Sequence, residues 1–279
     1  MKKIAIVTGA NSGMGLATSI ELAKKGLHVV MVCRNEARGM LALEMAKEQS
    51  QSDSFDLMLC DLGSLASIGE FAAAFLNNYE VLDVLVNNAG VVSLKREQTV
   101  DGFEVQMGIN HLGHFLLTNL LLEPLKKSEQ GRIVNVSSGA HKWGKIDFED
   151  PYFAKGYNVL KGYGQSKLAN ILFTNELANR LSKTNVTVNS LHPGAVATSL
   201  GVNRTTGFGK TVYKILSPFF KSPAQGASTA IYLATSPEVA RVTGNYFINE
   251  KIAPTSTLAK DKTLARKFWE WSEKEVEAN

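Results

Sequence analysis

Cysteine is nearly absent: Cys33 and Cys60 are the only two in 279 residues. They form no C-x-x-C pair and have no metal-like spacing to a histidine, which argues against a disulfide scaffold or a zinc site and for a reduced setting. His28, His111, His114 and His141 also lack ligand spacing with Cys, Asp or Glu, so no metal is expected. Proline is scarce, with seven residues, and the 23 glycines follow no fixed period, which rules out collagen-like and low-complexity chains. Charge of one sign is missing: 30 Lys+Arg against 26 Asp+Glu leave a formal +4 with no basic block, so no nucleic-acid footprint is expected. Long hydrophobic runs are missing too. Met1 to Gly9 carries too short an apolar run for a signal peptide, and Phe115 to Leu125 is broken by Asn119, Glu123 and Pro124. A cytoplasmic chain without an integral membrane segment is the expectation.

What the sequence does have is alternation. Ile4–Val7, Val29–Val32, Leu57–Leu59, Val84–Val86, Ile133–Val136 and Val186–Val188 read as short strands buried on both faces, and Asn245–Asn249 as a last one. Helix-length stretches lie between them, such as Leu16, Ile20 and Ala23 before the stop at Gly26. This pattern predicts an α/β fold: a single-domain Rossmann-type doubly wound parallel sheet of about seven strands, flanked by helices, over residues 1–279. Two stretches depart from it. Residues 139–162 carry Trp143, Phe148, Tyr152, Phe153 and Tyr157 without sustained period and read as an insertion. Residues 199–222, with Arg204 and Lys210, read as a substrate lid. The stretch from Asp261 to Glu277 reads as a charged surface helix with Leu264, Phe268 and Trp271 on one stripe, and Phe115 to Leu121 as core or a subunit interface.

The first strand runs into Thr8-Gly9-Ala10-Asn11-Ser12-Gly13-Met14-Gly15 and then a helix. The first N–H groups of a helix lack intrahelical partners and its dipole favours an anion, so a diphosphate can rest there if glycines let it approach. The spacing is G-x-x-x-G-x-G, which differs from the common dinucleotide fingerprint. At the end of strand two, where an NAD site places an acid for the ribose, the chain has Cys33-Arg34-Asn35. A guanidinium there suits a 2′-phosphate, so the expected cofactor is NADP(H). Further on, Tyr163 and Lys167 stand at i and i+4 on one helical face. An ammonium beside the phenol, joined by a cationic nicotinamide, would lower its pKa from about 10 towards working range.

These residues, together with Asp61-Leu62, Asn87-Asn88-Ala89-Gly90, Asn110, Asn135-Val136-Ser137-Ser138 and His192-Pro193-Gly194-Ala195-Val196-Ala197-Thr198, make the chain resemble a short-chain dehydrogenase/reductase over nearly its full length. Within that family it is most similar to the retinol dehydrogenase-like and WW-domain-oxidoreductase-like branch. The resemblance implies a catalytic set of Asn110, Ser138, Tyr163 and Lys167. Tyr163 is the implied general acid for carbonyl reduction, with Lys167 lowering its pKa and holding the nicotinamide ribose. Ser138 would bind the reacting oxygen, and Asn110 would hold a water on a proton path towards Lys167. The implied cofactor contacts are Gly9, Asn11, Ser12, Gly13, Met14 and Gly15 at the diphosphate, Arg34 and Asn35 at the ribose phosphate, and Asp61 and Leu62 at the adenine. Asn88, Ala89 and Gly90 fall on the adenosine side, and Pro193, Gly194, Val196 and Thr198 around the nicotinamide, with Tyr163 and Lys167.

The implied activity is interconversion of a ketone or aldehyde and an alcohol, on an apolar small molecule held between residues 139–162 and 199–222. An NADP(H)-binding regulator or scaffold on the same fold is the alternative, but it would need the turn without the four catalytic residues. A sugar-nucleotide epimerase would need a larger C-terminal substrate domain. A homodimer through the helices carrying Asn110 and Tyr163 stays open, because the long interval before Tyr163 is able to cover that face.

Overall fold

Six β-branched, apolar runs become parallel strands because a sheet covered on both faces by helices hides most of them. A computed structural model describes residues 2–194 and 222–277. Its elements run β1 (Ile4–Thr8), α1 (Gly13–Lys24), β2 (His28–Cys33), α2 (Glu36–Ser50), β3 (Phe55–Leu59), α3 (Leu65–Asn78), β4 (Val84–Asn87), α4 (Val105–Met107), a π turn (Gly108–Leu112), α5 (Gly113–Leu120), α6 (Leu122–Lys127), β5 (Arg132–Val136), α7 (Val159–Arg180), β6 (Thr187–His192), α8 (Pro223–Thr235), β7 (Tyr246–Ile248), β8 (Lys251–Ile252) and α9 (Lys262–Glu277). The sheet order is β3-β2-β1-β4-β5-β6-β7-β8. The first three strands run outward one way from β1 and β4 to β7 the other. β1 pairs with β4 through Ala5↔Val84, Ile6↔Leu85 and Val7↔Val86, so their carboxyl ends flank the crevice at which such sheets bind ligands.

Two core layers sandwich the sheet. One packs Leu22, Ala42, Ala230 and Leu233 of α1, α2 and α8 against Val7, Val29 and Val134. The other packs Phe71, Phe75, Phe115, Phe173 and Leu177 of α3, α5 and α7 against Ile6, Val30, Leu85 and Ile133. The buried residues Phe115, Leu117 and Leu121 belong to this second layer, which places the stretch Phe115 to Leu121 in the core.

The sheet differs from the expectation in two places. To the seven parallel strands the described residues add a short eighth, because Asn249 and Glu250 both take positive φ (51° and 64°) and close a two-residue hairpin that brings Lys251 and Ile252 back antiparallel onto β7. Such a turn suits the twist of paired strands but is hard to read without glycine. β3 is also the sheet edge: Asp56 and Leu59 are exposed, so the strand is not buried on both faces.

The C-terminal helix α9 differs as well. Its buried residues are Ala265, Phe268, Trp269 and Ser272, and Trp271 is only partly covered, so the inward stripe is wider than the one through Leu264, Phe268 and Trp271. Phe268 packs in a third cluster with Met107, Leu112, Leu168 and Leu172, and Trp269 reaches Phe115 and Phe173. The Arg180 guanidinium lies 4.3 Å from the centre of the Trp269 ring. The aromatic residues of 139–162 divide: Phe148 and Tyr152 pack on Phe268 and Trp271, whereas Trp143 donates from Nε1 to the Leu160 carbonyl at 3.2 Å. The faces of the π turn and α7 on this side are therefore covered by the chain's own α9.

Phe268→Ala removes a fully buried ring from this contact and is expected to cost about 3–5 kcal/mol in urea unfolding. A loss below about 1 kcal/mol would show that α9 is only loosely docked.

Candidate active site

The chain leaves β1 at Thr8 and must enter α1 within five residues, which needs backbone that only glycine takes cheaply. Gly9 and Gly13 adopt φ of +64° and +55°. Gly15 lets α1 press onto the turn: a Cβ there would sit 2.3 Å from the Gly9 carbonyl oxygen and 2.6 Å from Asn88 Nδ2. Ser12 at the N-cap makes no side-chain capping bond, and the first turn of α1 contains no acid. The leading N–H groups of α1 thus face a crevice with no carboxylate on their own turn to fill it, and the cradle fits a diphosphate. The side chain of Met14 points into the core, so only its backbone is available here.

Arg34 stands exposed at the end of β2, its Nη1 3.7 Å from Asp61 Oδ2. Asp61 also accepts the Gly63 N–H at 2.9 Å. Asn35 caps α2 by accepting the Arg38 N–H at 2.9 Å, which gives it a structural duty at the position expected to touch the ribose phosphate. Leu62 is buried in the core, with its carbonyl against Gly113. After β4, Asn88 donates from Nδ2 to the Thr8 carbonyl at 2.7 Å and so ties the two strand ends together. Pro193 and Gly194 lie at the end of β6, Gly194 with φ +87°. Val196, Thr198, Arg204, Lys210 and the lid stretch up to residue 221 lie outside the described residues.

The reactive groups gather at the end of β5. Ser138 caps the short 3₁₀ turn Gly139–Lys142 by accepting the Ala140 N–H at 3.2 Å. The carbonyl of Ser138 accepts from His141 Nδ1 at 2.7 Å, and His141 Nε2 accepts the Ser256 N–H, so a buried imidazole fixes this corner. Tyr163, near the start of α7, lies beside the Ser138 side chain. One turn later, Lys167 is 4% exposed, with Nζ donating to the Val136 carbonyl at 3.1 Å and lying 5.6 Å from the centre of the Tyr163 ring. In the chain by itself, burial raises the Tyr163 pKa and the Ser138 side chain draws it part of the way back. Lys167 lies against the ring and donates to Val136.

Asn110 reaches the same place from the π turn, fully buried. Its Oδ1 accepts the Val91 N–H at 2.7 Å, and its Nδ2 donates to the Val91 carbonyl and the Ser166 hydroxyl, both at 3.0 Å. The side chain thereby ties the loop after β4 to α7. Gly90 lies beside it; a Cβ there would come within 3.6 Å of Lys167 Nζ. Ser138, Tyr163, Lys167, Asn110 and Gly90 are thus brought together.

Sequence reasoning passed over the support behind them. Asn87 donates to Asn135 Oδ1 and to Thr118, Asn135 to Thr174, and Asn170 to the same Val136 carbonyl that takes Lys167. Asparagines at the ends of otherwise apolar buried strands were the available signal, since buried amides must find partners.

The short chain dehydrogenase family model matches residues 3–207. Retinol dehydrogenase 14 of Mus musculus is 48% identical over 283 residues, covering 97% of this chain and 85% of that protein. Among solved structures, an uncharacterized protein from Mycobacterium paratuberculosis superposes with a TM-score of 0.80 at 33% identity, over 99% of this chain and 93% of that one. An actinorhodin polyketide ketoreductase variant with NADPH gives 0.71 at 28% identity, over 88% and 95%.

Burial pushes the Lys167 ammonium down from 10.5 to about 8. Below about pH 8 the folded chain therefore carries a charge that the unfolded chain hydrates better, so the group opposes folding there; the penalty fades from pH 8 to 10.5 and is gone above. Lys167→Met is expected to raise stability at pH 7 by up to about 3 kcal/mol in chemical denaturation, with the gain shrinking over that interval. A variant less stable than the native chain at pH 7 would show that the bond to Val136 outweighs desolvation.

Proposed function

The chain belongs to the short-chain dehydrogenase family, and from that premise we propose that it is an NADP(H)-dependent oxidoreductase interconverting an apolar aldehyde or ketone and its alcohol. The observation that carries this reading is the Tyr163 phenol beside the Ser138 side chain, with the Lys167 amine against its ring, at the end of a strand in the sheet that carries the glycine cradle. A nicotinamide cofactor, when bound, supplies or accepts the hydride.

The chain's own residues handle the oxygen and its proton. Ser138 Oγ, which both donates and accepts, holds the carbonyl oxygen beside the phenol. As charge grows on that oxygen in reduction, the Tyr163 hydroxyl releases its proton to it; in oxidation the phenolate takes the proton back. A phenol whose pKa is raised by burial stays protonated at neutral pH and is ready as the acid. Lys167, with its pKa near 8, is poised to hold or pass a proton close to working pH. Asn110 and Ser166 keep the loop after β4 and the helix start in register.

Arg34 supports the choice of NADP(H). It sits where a ribose 2′-phosphate would lie, and its exposed ion pair with Asp61 is weak enough to give way to a phosphate. The NADPH bound in the ketoreductase relative points the same way. An apolar substrate is supported by Trp143 and Leu160, 56% and 62% exposed beside the first turn of α7. The name of the retinol dehydrogenase relative adds an apolar alcohol, although fold and cofactor chemistry do not by themselves fix a substrate.

Loss of NADPH absorbance with a panel of apolar aldehydes and ketones tests the activity. Tyr163→Phe is expected to slow turnover by about 10²- to 10⁴-fold; equal rates in both chains would end the proposed role of Tyr163, and no turnover by the native chain would end the enzyme reading. Arg34→Asp is expected to move the ratio of kcat/KM for NADPH over NADH towards NADH by about tenfold or more. An unchanged ratio would make Arg34 a bystander.

A further inference from the structure

His114 is a buried titratable group that the proposed chemistry leaves unused. It lies on α5, just past the π turn, and is 3% exposed. Its Nδ1 is 3.2 Å from the Asn110 carbonyl oxygen and its Nε2 is 2.9 Å from Thr8 Oγ1. A carbonyl oxygen only accepts, so Nδ1 carries the ring proton and Nε2 presents a lone pair, to which the Thr8 hydroxyl donates. The same hydroxyl accepts the N–H groups of Asn88 at 2.9 Å and Ala89 at 3.0 Å. One imidazole and one hydroxyl thereby interlock the end of β1, the turn after β4 and the π turn. Burial, helped by the nearby Lys167, pushes the His114 pKa down to about 4, so the ring stays neutral and the direction of these bonds is constant near neutral pH.

Both ends of this bridge matter. Thr8 precedes Gly9, the first residue of the cradle, and Asn88 spans from the Thr8 carbonyl to the space in front of Gly15. At the other end, the side chain of Asn110 holds Val91 and Ser166, next to Lys167.

We propose that His114 is a positioning residue that couples the seating of a dinucleotide on the Gly9–Gly15 turn to the placement of Asn110, Ser166 and Lys167. This rests on reading that turn as the cofactor cradle. If His114 is lost, the Thr8 hydroxyl has the Val86 carbonyl at 3.3 Å as a substitute acceptor, so the fold has a way to survive the change.

The test compares His114→Phe, Thr8→Val, the double variant and His114→Gln with the native chain. It reads the dissociation constants of NADP⁺ and NAD⁺ by fluorescence titration, kcat and KM for a carbonyl compound at saturating cofactor, and melting temperature. His114→Phe is expected to weaken dinucleotide binding about tenfold and lower kcat about tenfold, with carbonyl KM within about twofold. His114→Gln, which keeps a donor and an acceptor, should restore most of both. The effects of His114→Phe and Thr8→Val on binding should not multiply in the double variant. Native binding and kcat in His114→Phe with only a lower melting temperature, or fully multiplicative effects, would overturn the coupling. Should His114→Phe fail to fold, Thr8→Val alone decides: kcat unchanged at saturating cofactor overturns the proposal, and a reduced kcat with unchanged carbonyl KM supports it. A native chain that binds neither dinucleotide would overturn the cradle reading and the coupling together.

Discussion

The side-by-side pairing of β1 and β4, from which the chain departs in opposite directions, is the constraint on which the site depends. It opens a crevice at the strand ends, and glycine keeps that crevice usable. A side chain at Gly15 would collide with the Gly9 carbonyl, and one at Gly9 would meet the Cα of Ala89 at 2.9 Å. One at Gly90 would press on Asn110 and approach the Lys167 amine. Three missing side chains therefore set both how closely α1 and the turn after β4 approach the end of β1 and how much space remains before the amine. Thr8 and Asn88 then bind the two strand ends to each other.

Holding Lys167 in this place works against folding, and the surrounding structure is arranged to bear it. Among the described residues the amine donates to one protein oxygen, the Val136 carbonyl, which Asn170 shares. Behind that carbonyl runs a ladder of amides and hydroxyls from Asn87 through Asn135 and Thr174 to the Asn170 carbonyl. A buried polar ladder gains from being connected, because each unpaired member would cost as much as a lost bond or more. The two aromatic and aliphatic layers on the sheet supply the stability against which this buried cation is set. A site that needs an amine with a lowered pKa accepts a local loss of stability for it.

How far the sequence could be read follows from the range of the interactions involved. The strands, the glycine turn and the Tyr163–Lys167 spacing depend on neighbours a few residues apart, and all were legible. What escaped depends on distant contacts. Residues 55–59 look like any buried strand until the sheet order makes them an edge. The hairpin at Asn249 and Glu250 has no glycine to announce it. Asn35 caps a helix and Leu62 packs in the core, duties that no local spacing announces. His114 and His141 were weighed only as metal ligands, whereas each holds a backbone carbonyl beside the site.

The C-terminal helix shows the same principle at the level of assembly. Helices carrying Asn110 and Tyr163 present an apolar side that sequence alone left open to a second copy. In the folded chain α9 takes that side, with Phe268 and Trp269 buried and His111 Nε2 2.8 Å from the Ser272 hydroxyl. A second copy approaching there would first have to lift two aromatic side chains, each worth about 1.5–3 kcal/mol in buried area. It would also strand His111, whose ring burial keeps neutral with a pKa of about 3. Because His111 adjoins Asn110 in the π turn, α9 braces that turn from behind, while Thr8 and His114 brace it from the strand ends. The π turn, an irregular stretch that a helix tolerates at some cost, is thus held from both directions by side chains from opposite ends of the chain.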